Sequence, residues 1–143
     1  MATGVSAPDP VYTRDILRLA ANVPGRLAWH ELDARELRAP VCGSRLKMIV
    51  EEEEGRVTGV RQALEACAFG QAAAALAAAG AIGRQRADLI EIDQRVAAWL
   101  AVEGEAPWPG LDVLEPARTK AGRHGAILLP FRALARWAQG DEA

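Results

Sequence analysis

The first clear pattern of apolar and polar positions spans residues 11–22. Ile16, Leu17, Leu19 and Ala20 fall on one side of a helical period and Arg14, Asp15 and Arg18 on the other, with Thr13 placed to cap the helix and Pro24-Gly25 to end it. Residues 26–38 alternate loosely and predict one or two short strands. From 44 to 53 the period is two, with Leu46, Met48 and Val50 on one face and Arg45 and Lys47 on the other. A turn at Glu54-Gly55 leads into residues 56–66. These put Val60, Gln62, Leu64 and Ala66 on one face and Val57, Gly59, Arg61 and Ala63 on the other, which completes a hairpin.

Beyond the hairpin the pattern turns helical. Residues 69–79 predict a small-residue helix able to pack closely on a sheet, ended by Gly80 and Gly83. Residues 87–102 predict a second helix with Leu89, Ile92, Val96, Trp99 and Leu100 as its buried stripe. Pro107, Pro109 and Gly110 mark a loop over 104–111 that holds Trp108, and a last helix is expected to start at His124 or Gly125 and reach Ala138. Its inward side is Ile127, Leu128, Phe131, Leu134 and Trp137, its outward side Arg132 and Arg136, and Pro130 falls in its first two turns. One helix, a meander of three strands, then three helices predicts an α+β fold: a three-stranded antiparallel sheet covered on one face by helices.

The chain has 143 residues, half of them hydrophobic and a quarter charged, with a net charge of −2. That suits one domain over residues 11–139 behind a flexible lead-in at 1–10, and it lacks the positive field that a nucleic-acid partner would require. The N-terminus shows no secretory pattern, and the most apolar run, 72–82, is too short to span about 30 Å of hydrocarbon, so the expected setting is the cytoplasm without membrane contact. GxGxxG, P-loop, HExxH and nucleophile-elbow patterns are all missing from the sequence, which leaves nucleotide binding and common hydrolytic chemistry unsupported. Glu51 to Glu54 do not form a metal site on this pattern, because consecutive strand residues point to opposite faces.

Two cysteines, Cys42 and Cys67, rule out a disulfide framework and a four-thiolate centre. They flank the hairpin. A turn centred near Glu54 sets residue 66 opposite residue 42, so both should meet at one end of the ladder. Cys67 also precedes a helix, whose N-terminal amides favour a thiolate. Both residues read as well as small buried hydrophobes. His124, between Gly122 and Gly125, is read as exposed at a turn, whereas His30 has no cysteine near it. Cys42, Cys67 and His124 would be a sensible zinc set with one open position. Cys42 as a nucleophile with His124 as its base lacks an orienting third group.

These segments resemble a family. Ala39-Pro40-Val41-Cys42-Gly43-Ser44 is similar to the Pro-x-Cys-Gly-Asp segment of the IscU/NifU N-terminal iron–sulfur cluster scaffolds. Glu65-Ala66-Cys67-Ala68-Phe69-Gly70-Gln71-Ala72 resembles the Gly-Cys-x-x-x-x-Ala-Ser stretch of that family, Arg123-His124-Gly125 its His-Cys pair, and Tyr12-Thr13-Arg14-Asp15-Ile16-Leu17 its Tyr-containing first helix. The resemblance covers about residues 11–138 and implies a SufE/NifU-like α+β sandwich. It also implies that the third cysteine position is Gly125 and the Asp position Ser44. The chaperone-recognition segment of the family, Leu-Pro-Pro-Val-Lys, reads Arg-Thr-Lys-Ala-Gly at 118–122, so that chaperone is not expected as a partner, while a cysteine desulfurase is.

The expected function is therefore a non-enzymatic scaffold-like protein with a reduced site, Cys42, Cys67 and His124, that holds zinc, iron or a labile cluster completed by an external thiol or a second chain. The alternative is a desulfurase-binding module of the assembly machinery that carries no cluster. A weaker third reading makes Cys42 a persulfide acceptor.

Overall fold

The computed structural model describes residues 12–102 and 104–140. The expected lead-in at 1–10 lies outside them. Helix α1 (Arg14–Ala21) begins at Thr13, whose Oγ1 accepts a hydrogen bond from the Ile16 amide at 3.2 Å. Ile16 and Ala20 are buried one turn apart, but Leu17 is 51% exposed, a correction to the expected stripe. It lies about 100° round the helix from Ile16 and turns off the packed face.

The stretch expected to hold one or two short strands resolves into three pieces. Leu27 donates to the Gln62 carbonyl and Gln62 to that of Gly25, a single parallel bridge. A 3₁₀ turn follows at Trp29–Glu31, and then β1 (Glu36–Arg38). Strands β2 (Arg45–Glu53) and β3 (Arg56–Glu65) form the predicted hairpin, and the three strands run β1-β2-β3, all antiparallel. Glu54 (φ 51°) and Gly55 (φ 80°) both adopt the left-handed conformation that matches a two-residue turn to the strand twist.

The register runs from Arg45↔Glu65 to Glu51↔Gly59 and then shifts to Glu52↔Val57, leaving Thr58 as a bulge. That extra residue reverses the facing of what precedes it. Val57, expected on the face opposite Val60, is 1% exposed in the core beside it.

Helix α2 (Ala68–Ala81) lies at the centre of the helical layer, packed by α1 and α4 and set against the sheet. It is buried on nearly all sides, as an alanine-rich sequence allows. It continues through Gly80 rather than stopping there, because Gly80 is a contact point. A Cβ at this position would lie 2.5 Å from the indole nitrogen of Trp108, which donates to the Leu76 carbonyl at 2.8 Å.

The expected helix over 87–102 is a 3₁₀ turn, Arg86–Asp88, followed by α3 (Ile92–Ala101), and all five residues of its stripe are buried. A 3₁₀ segment, Leu111–Thr119, comes next. Its buried residues, Leu111, Leu114 and Ala117, recur every three positions, the repeat of that helix.

Helix α4 (Ala121–Ala138) starts three residues before the earliest expected position, so Pro130 lies in its third turn. Ile127, Phe131, Leu134 and Trp137 face the core as expected, with Leu128 partly buried against it, while Arg132 and Arg136 are half-buried rather than outward. Among the described residues, no helix is long and apolar enough to cross a membrane.

Replacing Gly80 by Ala should cost about 1–3 kcal/mol by overpacking against Trp108. Chemical denaturation of Gly80→Ala beside the parent chain measures this, and an unchanged midpoint would show that the indole is not held there.

Candidate functional site

The loop before β2 is closed by its own backbone. Ala39 donates to the Ser44 carbonyl at 2.8 Å and Gly43 to the Ala39 carbonyl at 3.1 Å. Ala39 and Ser44 are buried while the residues between them project: Val41 is 86% exposed and Cys42 is exposed at its side. The Cys42 sulfur is 3.2 Å from the Ser44 hydroxyl, to which the thiol donates and from which the thiolate would accept. Partial burial of the sulfur opposes ionisation. The Ser44 hydroxyl, the backbone amides of Ser44 and of Cys42 itself, and the Arg123 guanidinium together outweigh it and hold the thiol below its ordinary pKa.

Cys67 is the residue before the first turn of α2 (φ −69°, ψ 173°), as its position in the sequence predicts, and its carbonyl accepts from the Gln71 amide at 3.0 Å. Its side chain is half-buried against the main core. Glycine sets how close the neighbouring elements come. A Cβ on Gly70 would be 2.7 Å from the Ala66 Cβ and 3.1 Å from that of Ala126, and one on Gly125 would be 3.3 Å from the Ala39 Cβ. The chain next to Cys67 and the loop that carries Cys42 therefore both reach α4 at residues 125–126, at the end of the sheet where β2 begins and β3 ends.

His124 also lies at this end, in the first turn of α4 and half-buried, not exposed at a turn as expected. Its Nε2 is 3.0 Å from the Ala117 carbonyl and 3.1 Å from that of Arg118. Carbonyls only accept, so Nε2 carries the proton, and in the neutral ring Nδ1 has the lone pair. Arg118 is fixed in turn: its Nε donates to the Trp99 carbonyl at 2.8 Å and its guanidinium lies 4.6 Å from the Trp99 ring centroid.

Among the described residues, no three His, Cys, Asp or Glu side chains converge on one point as metal ligands do. His30 is exposed on the Trp29–Glu31 turn and takes no part. Sequence reasoning missed Arg123 as the charge acting on Cys42 and Arg118 as the residue that positions the His124 anchor. The available signal was Lys120-Ala121-Gly122-Arg123, a basic stretch entering a helix beside the candidate ligand.

The acidity of Cys42 has a direct readout. A lowered pKa enlarges the thiolate fraction at neutral pH, so the pH profile of its alkylation by iodoacetamide should have its midpoint below that of an unstructured cysteine. Ser44→Ala and Arg123→Gln should each move that midpoint up; a profile indifferent to both would remove the loop as the cause.

No protein-family profile and no curated protein matches the sequence. Solved structures do match. A nitrogen-fixing NifU-like protein (N-terminal) from Brucella abortus is 27% identical, with a TM-score of 0.74 over 92% of this chain and 94% of that one. A protein of Fervidobacterium islandicum assigned as an iron–sulfur cluster assembly scaffold of the SUF system is 16% identical, with a TM-score of 0.71 over 87% and 93% of the two chains. A hypothetical protein has a TM-score of 0.68 at 16% identity, over 90% and 97%. The antiparallel meander, the cysteines on either side of its hairpin and the likeness along nearly the whole of both chains make the structure similar to that of the NifU-like N-terminal protein, an IscU/NifU-like fold.

Proposed function

We propose that this chain is an iron–sulfur cluster assembly scaffold-like protein whose site is a reduced one. Cys42 and Cys67 supply two thiolates, His124 supplies a third donor through Nδ1, and an external thiol or a second chain completes the set around a labile cluster or an iron or zinc ion, the protein's cargo. The observation that carries this reading is the exposed, acidified Cys42 on a closed loop, at the same end of the sheet as Cys67 and the first turn of α4. Two sulfurs and an imidazole with one open position suit zinc, and two thiolates with outside donors suit a cluster handed on rather than kept. A projecting thiolate also suits the receipt of sulfur from a cysteine desulfurase, the partner we propose. The reading needs no catalytic turnover. A thiolate site of this kind requires a reducing compartment, for which the cytoplasm is the natural choice. The working unit proposed is residues 11–139.

One observation favours a second reading, a desulfurase-binding module that carries no cluster. Among the described residues no three donor side chains come together, and one His124 nitrogen is already bonded to backbone carbonyls.

Anaerobic reconstitution with ferrous iron and sulfide, or with zinc, in the presence of a thiol should load the protein near stoichiometrically and raise its thermal stability. Cys42→Ser and Cys67→Ser should each abolish loading, and His124→Ala should weaken it. A protein that stays metal-free with unchanged stability rejects the first reading. If that metal-free protein still captures a desulfurase, the second holds.

A further inference from the structure

Strand β1 is much shorter than the strand it pairs with. Its three residues cover β2 only from Arg45 to Lys47, and residues 33–35 before it make no ladder pair but line the same cleft as residues 48–50. Among the described residues, β2 therefore has no strand partner on that side from Met48 to Glu53, whereas segments 25–27 and 83–85 both bond to the far side of β3. The uncovered edge runs above a cleft of about 250 Å³ between the sheet and α4, whose lining combines apolar residues, Met48, Val50, Ala133 and Trp137 among them, with the charged Asp33, Arg35 and Arg136. That volume accepts one large apolar side chain.

A bare strand edge exposes backbone donors and acceptors and draws another strand unless something discourages it. Here the edge ends in Glu51, Glu52 and Glu53, all exposed. Two copies of this chain joined edge to edge about Glu52 would bring these three carboxylates against the same three of the other copy, and like charges opposed across a strand pair repel. The acidic run thus disfavours that self-pairing and selects by charge what else can pair there.

We propose that the edge of β2 over residues 48–53 and the cleft beneath it are a docking site for an extended segment of another protein in which basic residues alternate with bulky apolar ones. The segment adds a strand to β2. One face of that strand places an apolar side chain between Met48, Val50 and Trp137, and the other sets lysine or arginine beside Glu51 and Glu53. Glu52 faces inward and is held by Arg86 at 2.7 Å, so it helps to fix the edge rather than meet the partner, and Glu51, paired with Arg61 at 3.3 Å, would share its carboxylate with the incoming cation.

The test uses the full chain and a labelled eight-residue peptide alternating lysine with leucine, read by fluorescence anisotropy and by hydrogen exchange of residues 48–53. The peptide should bind and slow exchange in that segment. Binding should fall at least tenfold in the surface variant Glu51→Lys/Glu53→Lys, and again when Ala133→Leu fills the cleft, with each variant's far-ultraviolet circular dichroism unchanged. A peptide with lysines and leucines in separate blocks should not protect the segment, and one with glutamate for lysine should not bind. Equal binding of the alternating and block peptides, or binding without protection at 48–53, would reduce the effect to charge attraction and overturn the proposal. Concentration-dependent self-association that protects the same amides would overturn it too, by making the occupant a second copy.

Discussion

Everything in this fold waits on how closely other elements can approach α2. Ten of its fourteen residues are buried, and apart from Phe69 and Leu76 the buried ones are alanine or glycine. Small side chains leave the helix little grip of its own but let α1, α4 and the sheet come near on different sides, so stability comes from what surrounds it. The larger residues sit on those surroundings. Trp108 closes over Gly80, Phe131 meets the Trp108 ring edge-on at 5.4 Å, and Tyr12 leans on Phe69 at 5.1 Å. The same economy governs the functional end: Gly70 and Gly125 give the short distances that draw the two cysteine segments to α4.

The chemistry at that end is divided between elements of different stiffness. Cys67 is set by the start of the central helix, half in the core. Cys42 stands on a loop whose ends are tied together and whose tip projects, so its position can adjust while its acidity is fixed locally by Ser44 and Arg123. The two thiols are therefore held differently, one by a helix start and one by a tied loop.

How far the sequence foretold this depends on the reach of each signal. Alternation over 44–53 and the Glu54-Gly55 turn are local, so the hairpin and the cysteines on either side of it were legible from the order of residues alone. The bulge at Thr58 was not: it breaks the period by a single residue, and only the burial of Val57 betrays it. The 3₁₀ segment left a readable three-residue spacing in Leu111, Leu114 and Ala117, which a search for periods of two and 3.6 passes over. The early start of α4 rests on contacts made across the fold, the His124 ring against carbonyls at 117 and 118 and Gly125 against Ala39. Glycines on either side of His124 argue locally for a turn, and tertiary packing overrode them.

The anchor of His124 fixes what the ring can offer. Its Nε2 hydrogen is directed at the carbonyls of Ala117 and Arg118, so in the neutral ring only Nδ1 is left with a lone pair. The tie runs on through Arg118 to Trp99 in α3. The imidazole is thereby a strut between the 3₁₀ segment and α4, and its one open nitrogen can be re-aimed only by moving that joint.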